Sequence, residues 1–333
     1  MTASWRFSAL ADRHRALGSN LEDWSGMGTA WTYDKDWDEE YIAIRTKAGI
    51  MDVSGLKKVH ITGPHASHVI DYATTRNVEK IYPGKSIYRM GPNSWMVVHG
   101  SGTGHEELTK AAMGRDVSVR FDDNLHDLSL QGPLAVDYLA EYVPGIRDLP
   151  YFHHTQTQLF GAPVMISRTG YTGERGYEIF CRAQDAGMIW DRIVAEGKDM
   201  GIIPTRFTTL DMLRVESYLD FTVSPGKTGF RGAEEHYRLK GKERFKIFGI
   251  LFDGKEVPAE GAEVFKDGAK VGVVTCAMYS PLKDQTMAIA RLAVDCAEQG
   301  VRLEVTGEKG MLGGMAHTMP FDDPKKLKRT AKG

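Results

Sequence analysis

Apolar positions recur at helical spacing in several short stretches of this chain, and alternate with polar ones in others. Phe7 to Leu17 sets apolar residues among basic ones at helical spacing. Asp38 to Ala48 predicts a helix on Tyr41, Ile44 and Ala48. Between them lies a Gly- and Trp-rich stretch, Trp24 to Tyr33, which reads as an irregular loop. Val59 and Ile61 alternate with polar neighbours and predict a strand, followed by a helix from Pro64 to Tyr72 opened by its proline. The same logic repeats twice. SWMVVHG is a strand before a helix at His105 to Met113, and Leu128 to Val143 reads as strand, turn and helix with Pro133 near the helix start. Val164 to Cys181 reads as strand, Gly-rich turn and strand. Asp185 to Met200 predicts an amphipathic helix with Met188, Ile189, Ile193 and Val194 on one face, and Thr209 to Tyr218 another helix.

Beyond about Arg231 the pattern changes. FKIFGILFDG, AEVFKDGAKVGVVTCAMYSP, TMAIARLAV and VRLEVTG are short alternating segments separated by Gly, Asp or Pro, with Asp267-Gly268 as a hairpin turn. These predict an all-β module, a barrel or sandwich. The fold class expected is therefore α+β, with an α+β body over residues 1–235 and a C-terminal β-barrel over 236–333.

Composition narrows the function classes. A length of 333 residues, with 42% hydrophobic and 26% charged, suits a multidomain globular protein. The formal charge of −2 gives no field to attract nucleic acid or a membrane surface, so neither is expected as a partner. The basic tail Lys325, Lys326, Lys328, Arg329, Lys332 reads as a solvated terminus. Cys181, Cys276 and Cys296 have no CxxC spacing, which argues against a disulfide framework or zinc site. The N-terminus lacks a signal-peptide pattern and no run reaches membrane-spanning length, so a cytoplasmic location is expected. His65 with His68, and His153 with His154, lack carboxylate or cysteine companions, so no metal is expected. Gly100, Gly102 and Gly104 fail the dinucleotide pattern because His105 stands where its last glycine belongs.

Several stretches in order carry a family resemblance: AGIMDVSGLKKVHITGP, LSLQGPLAVDYL, ISRTGYTGERGYEIF, LDMLRVESYL, TVSPGKTGFRGAEEH, VTCAMYSP and the closing MPF. Together they resemble the glycine-cleavage T-protein (aminomethyltransferase) family, which includes folate-dependent one-carbon transferases and demethylases. The resemblance implies a cloverleaf: two α+β subdomains around a folate channel, plus the C-terminal barrel. It implies tetrahydrofolate as cofactor and a small-molecule methyl donor as partner, with monomer and dimer both left open. It places the pterin anchor on Glu178, since a carboxylate can accept two adjacent N–H donors at once. Tyr171 is implied in the same pocket, Tyr88 near the one-carbon site, and Glu174 as a turn residue.

The departures bear on substrate. The family continues from GKSIY into a hairpin holding its catalytic aspartate, whereas here Tyr88 runs directly into Arg89-Met90-Gly91 and that aspartate is absent, so the catalytic residue is left unknown. Leu219 likewise meets Asp220 without the family's intervening loop. Leu210 stands where T-proteins have an arginine, and Gly55 where they have a histidine. These losses point from the lipoyl-bound donor toward another methyl donor. A sulfonium or protonated amine leaves as a neutral molecule, whereas a methoxy donor would need a general acid, and none is evident. The function expected is a tetrahydrofolate-dependent one-carbon transferase, a demethylase of a sulfonium or methylamine compound. The alternatives are glycine-cleavage aminomethyltransferase proper and a non-catalytic folate-binding protein. The iron–sulfur-maintenance branch is disfavoured by Gly229, which replaces its cysteine.

Overall fold

The computed structural model describes residues 5–34, 37–84, 88–100, 102–209, 224, 226–325 and 327–330. They divide into two compact units: the described residues of 1–209, 220–233 and 328–330, and those of 234–327.

The first unit holds three sheets, and near its start it carries the helices α1 (Ala11–Ala16) and α2 (Trp37–Thr46). The smallest joins β1 (Arg6–Phe7), β2 (Glu22–Trp24) and β3 (Met27–Thr29) in the order β1-β3-β2. The sequence reading expected a loop in this Gly- and Trp-rich region. The strands form because Ser25 and Gly26, at φ 55° and 81°, close a tight hairpin whose second strand pairs in parallel with β1.

The largest sheet contains β4 (Ala48–Asp52), β9 (Leu125–Gln131), β10 (His154–Leu159), β11 (Ala162–Ser167), β12 (Gly176–Arg182) and β13 (Ile202–Pro204). Its order is β10-β11-β12-β9-β4-β13. One face is apolar: Ile50, Leu128, Leu130, Tyr177, Ile179 and Ile166 share a core with α5 (Ala135–Ala140) and α6 (Ala183–Glu196). On α6 the buried face is Ala186, Ile189, Trp190 and Ile193, while Met188 is exposed. The inward stripe thus runs through Trp190 and leaves out Met188, the spacing that an i, i+3, i+4, i+7 face requires. The opposite face of this sheet is also buried, yet polar, with Asp127, Ser129, Gln131, Ser167 and Glu178.

The third sheet joins β5 (Lys57–Thr62), β6 (Tyr88–Gly91), β7 (Ser94–His99) and β8 (Ser118–Phe121) in the order β6-β7-β5-β8. Val59, Ile61 and Trp95 pack under α3 (Ala66–Ala73) and α4 (Gly104–Ala112). The reverse side meets the polar face of the large sheet through Tyr88, Met96, Met165 and Phe180. The predicted strand–Gly–Pro–helix units recur with one geometry: Gly63 and Gly132 precede α3 and α5 at φ 131° and 132°. A Cβ at Gly132 would lie 2.4 Å from the Lys47 carbonyl, so glycine is needed there.

The second unit is a closed barrel of β14 (Phe245–Phe252), β15 (Glu263–Lys266), β16 (Ala269–Ser280), β17 (Gln285–Ala293), β18 (Arg302–Thr306) and β19 (Met311–His317), ordered β14-β17-β16-β15-β18-β19. Ile250, Val264, Ala288, Leu303 and Val305 fill its interior. Asp267 and Gly268, both at positive φ, make the predicted turn between β15 and β16. The α+β fold with its C-terminal barrel is the one read from the sequence pattern. The helix expected from Thr209 to Tyr218 falls almost wholly outside the described residues, as does Leu210.

Candidate functional site

Strand β12 pairs antiparallel with both β9 and β11, which sets Glu178 opposite Ser129 on one side and Ser167 on the other. Strand alternation points Ser167, Ser129 and Glu178 to the same face. Glu178 is only 5% exposed. Its Oε2 accepts from the Tyr88 hydroxyl at 3.1 Å and from Thr169 Oγ1 in a short contact. Among the described residues no hydrogen bond reaches Oε1, so that acceptor is left for another donor. Burial pushes the Glu178 carboxyl above the usual range, and the hydrogen bonds from Thr169 and Tyr88 oppose that shift. Tyr88 itself is pushed well up by burial and by the charge of Glu178, so it stays a phenol and a donor.

The turn before β12 is fastened by Gln131. Its Nε2 donates to Ser129 Oγ at 3.0 Å and to the Thr169 carbonyl at 3.1 Å, while its Oε1 accepts from Thr172 Oγ1 at 3.1 Å. A Cβ on Gly170 or Gly176 would stand 2.1 Å from that Oε1. The glycines of TGYTGERG therefore serve close approach to a buried amide as well as the turn. Tyr171 lies half-buried on this turn. The structure thus brings Tyr88 and Glu178 into hydrogen-bond contact and places Tyr171 on the segment leading into β12.

Glu174, expected as a turn residue, does sit in the turn but is a buried charge. Its Oε1 pairs with Arg45 Nη1 at 2.9 Å and Lys328 Nζ at 2.9 Å. Lys328, itself exposed, ties the basic tail to this turn, because a buried carboxylate draws a cation to it. A groove of about 490 Å³ opens beside the site, lined by Met90, Met96, Met165 and Phe180, with His60 and Arg182 among its polar residues.

Comparison with known proteins bears on this arrangement. Residues 10–222 match the GCVT N-terminal domain, and residues 246–323 match the glycine cleavage T-protein C-terminal barrel domain. The chain belongs to the glycine cleavage T-protein family. Membership places it among enzymes of one-carbon transfer. A relative from Ectopseudomonas mendocina, the heme-dependent oxidative N-demethylase gamma subunit, is 59% identical and covers 100% of both chains. That alignment spans 377 positions, more than the 333 residues here, so the relative carries segments with no counterpart in this chain. An aminomethyltransferase from Streptomyces coelicolor is 28% identical over 91% of this chain and 94% of its own. The trimethylamine-oxide aldolase of Ruegeria pomeroyi is 30% identical over 85% of this chain, which spans 41% of that protein. The crystal structure of glycine cleavage system aminomethyltransferase T from Bartonella henselae shares the fold, with TM-score 0.84 and 23% identity over 96% of this chain and 98% of that one.

Other members of this T-protein site were not foreseen from sequence. Asp127, on β9, has no measurable exposure, and among the described residues neither carboxylate oxygen has a hydrogen-bond partner. Burial pushes its carboxyl well above the usual range, and the charge of Glu178 pushes the same way. Lys58 acts on it from β5, with Nζ held by the Ser54 carbonyl at 2.8 Å. Behind the site runs a buried chain: Tyr33 hydroxyl to His14 Nδ1 at 2.9 Å, then His14 Nε2 to Asp52 Oδ2 at 3.1 Å. Burial works to raise the Asp52 carboxyl, but the hydrogen bond and charge of His14, with Ser54 and Ser8, outweigh it and hold it low. The signal in the sequence was the polar run Asp127, Ser129, Gln131 alternating with Leu128 and Leu130. That pattern ordinarily marks a solvated face, and here it marks a buried one. Lys227, in the family stretch PGKTGF, donates to the Asp71 and Thr74 carbonyls at 2.6 and 2.8 Å and so closes the end of α3. Among the described residues no group of three or more histidine, cysteine, aspartate or glutamate side chains forms a metal site, and none of the helices is long and apolar enough to cross a membrane.

Proposed function

We propose that this chain is a tetrahydrofolate-dependent one-carbon transferase that takes its carbon from an N-methylated amine. The observation that carries the reading is Glu178: a buried carboxylate with one oxygen tied to Thr169 and Tyr88 and the other unclaimed. A pterin presents a ring N–H beside an amino group, and such a carboxylate accepts both with orientation as well as energy. Glu178 is the proposed pterin anchor, Tyr171 a lining residue and Tyr88 the phenol that fixes the anchor's orientation. Tetrahydrofolate, when bound, supplies the amine nucleophile that receives the carbon. The protein's share is to orient it and to hold reacting atoms in line, an effect worth up to roughly 7–11 kcal/mol in favourable cases.

The relatives' names favour an amine over a sulfonium donor, since one is an oxidative N-demethylase subunit and another acts on an amine oxide. A subunit name also supports work alongside partner chains, with the carbon delivered where the amine is oxidised. The non-catalytic reading draws on a different observation. Strand β6 begins at Tyr88 and turns at Pro92-Asn93 directly into β7, so the aspartate-bearing hairpin that the family has after this tyrosine is missing from this chain. Two measurements on the intact protein separate the readings. Calorimetric titration with tetrahydrofolate should show saturable binding, and its absence would sink both. Adding formaldehyde, the carbon released by oxidative N-demethylation, should then yield methylene-tetrahydrofolate faster with protein than without. Binding without acceleration would leave a folate-binding protein.

A further inference from the structure

Glu178 is not alone on its face of the sheet. Asp127 faces the same way, paired with Phe180 two residues along β12 from the Glu178–Ser129 pair. The two carboxyls are diagonal cross-strand neighbours, a relation that separates Cα atoms by roughly 7–8 Å. A fused two-ring heterocycle has about that reach. One held at Glu178 by its amino-bearing ring therefore brings the N–H groups of its second ring toward Asp127.

The state of Asp127 in the free protein is unusual. Buried carboxylates as a rule have hydrogen-bonded partners, yet neither oxygen of Asp127 has one among the described residues. Its backbone is satisfied, with the amide donating to Ser54 Oγ at 3.1 Å and the carbonyl accepting from Val53 at 3.0 Å, so the deficit is confined to the side chain. The titratable groups around it are Glu178 and Cys181 from β12, Tyr88 from β6, Lys58 from β5 and Asp52 from β4. Of these, Lys58 alone is a cation. Its ammonium is spent on the Ser54 carbonyl and makes no ion pair with Asp127.

We propose that Asp127 is a second ligand-facing carboxyl of this pocket: it holds a proton in the free protein and gives that proton to solvent when a bound pterin N–H donates to it. The proposal rests on the folate reading above. Nothing else changes covalently: the O–H bond of the carboxylic acid breaks, the proton leaves to water, and the carboxylate accepts the N–H hydrogen bond. Burial and the nearby Glu178 charge are what keep the proton on Asp127 before binding. The consequence is a site whose affinity for a neutral pterin rises with pH until Asp127 ionises unaided.

The test is calorimetric titration of the whole protein with tetrahydrofolate, in buffers of different ionisation enthalpy, for wild type, Asp127→Asn and Glu178→Gln. Wild type should release protons on binding. Asp127→Asn should release about one fewer and show a shallower rise of affinity with pH. Glu178→Gln should bind more weakly yet still release the Asp127 proton. Equal proton release by wild type and folded Asp127→Asn would overturn the proposal while leaving the folate reading intact. No binding by wild type would remove both. Should Asp127→Asn fail to fold, infrared difference spectra of wild type and Glu178→Gln decide. A protonated-carboxyl band that bleaches when Glu178→Gln is saturated with tetrahydrofolate supports the proposal, and a bleach confined to wild type, or none in either protein, overturns it.

Discussion

At the scale of single residues, the proposed site leaves chosen atoms short of partners. Glu178 Oε2 is saturated by Thr169 and Tyr88, while Oε1 is free for a ligand. Replacing Glu178 with Gln keeps the shape but turns one acceptor into a donor that faces the ligand's own donors. A buried mismatch of this kind costs roughly 1–3 kcal/mol, so Glu178→Gln should weaken tetrahydrofolate binding about tenfold with little change in melting temperature. Unchanged affinity in a folded variant would remove Glu178 as the anchor. The glycines beside it are equally specific. Gly176→Ala sets a methyl 2.1 Å from Gln131 Oε1, and overpacking a filled interior costs typically 1–3 kcal/mol. Thermal melts should show Gly176→Ala clearly less stable than wild type. A melting temperature within error of wild type would mean that Gln131 can move aside.

Among elements, the recurring device is a strand that ends in glycine and proline and hands over to a helix. Gly132 stands at φ 132°, a region glycine alone occupies readily, with the Lys47 carbonyl where a Cβ would go. Gly132→Ala should therefore cost at least the 1–3 kcal/mol typical of a forced backbone conformation, read as a lowered urea midpoint. A stability equal to wild type would show that the turn relaxes. This device was legible in the sequence because HITGP and LQGP announce it with residue types that allow few alternatives. So were the barrel strands, whose alternation survives because one side faces the barrel interior. The strands β8, β10 and β13 were not legible. They run three to six residues and take their place from a neighbour rather than from their own pattern. Within the proposed site, Glu178 was marked by the resemblance of its Gly-rich hairpin to the family's. Asp127 escaped notice because a lone acid between His126 and Leu128 reads as solvated until the second sheet is laid over it.

Across the whole molecule, buried charge divides into two kinds, and their balance sets how stability should respond to pH. Asp52 is held low by His14, Ser54 and Ser8 against the effect of burial. A depressed carboxyl contributes stability above its unfolded-state range and loses it as pH falls through the lower folded value. Asp127 and Glu178 are of the other kind, raised by burial. A raised carboxyl contributes stability below its unfolded-state range and loses it as pH climbs through the higher folded value. The acid limb of the stability curve therefore belongs in part to Asp52, and the fall with rising pH above the ordinary carboxylate range belongs in part to the pocket. Urea midpoints measured from acid to mildly alkaline pH should show wild type falling on both sides. Asp52→Asn should flatten the acid side and lower stability at neutrality, because His14 and the Ser8 hydroxyl lose their charged partner. Asp127→Asn should leave the acid side alone and flatten the alkaline side, since an amide of the same size has no proton to lose. The variant should overtake wild type as pH rises, at the point where ionising Asp127 costs more than burying an amide. If the wild-type and Asp127→Asn curves run parallel at every pH, Asp127 is already ionised in the folded protein, and Lys58 neutralises it more fully than its position indicates.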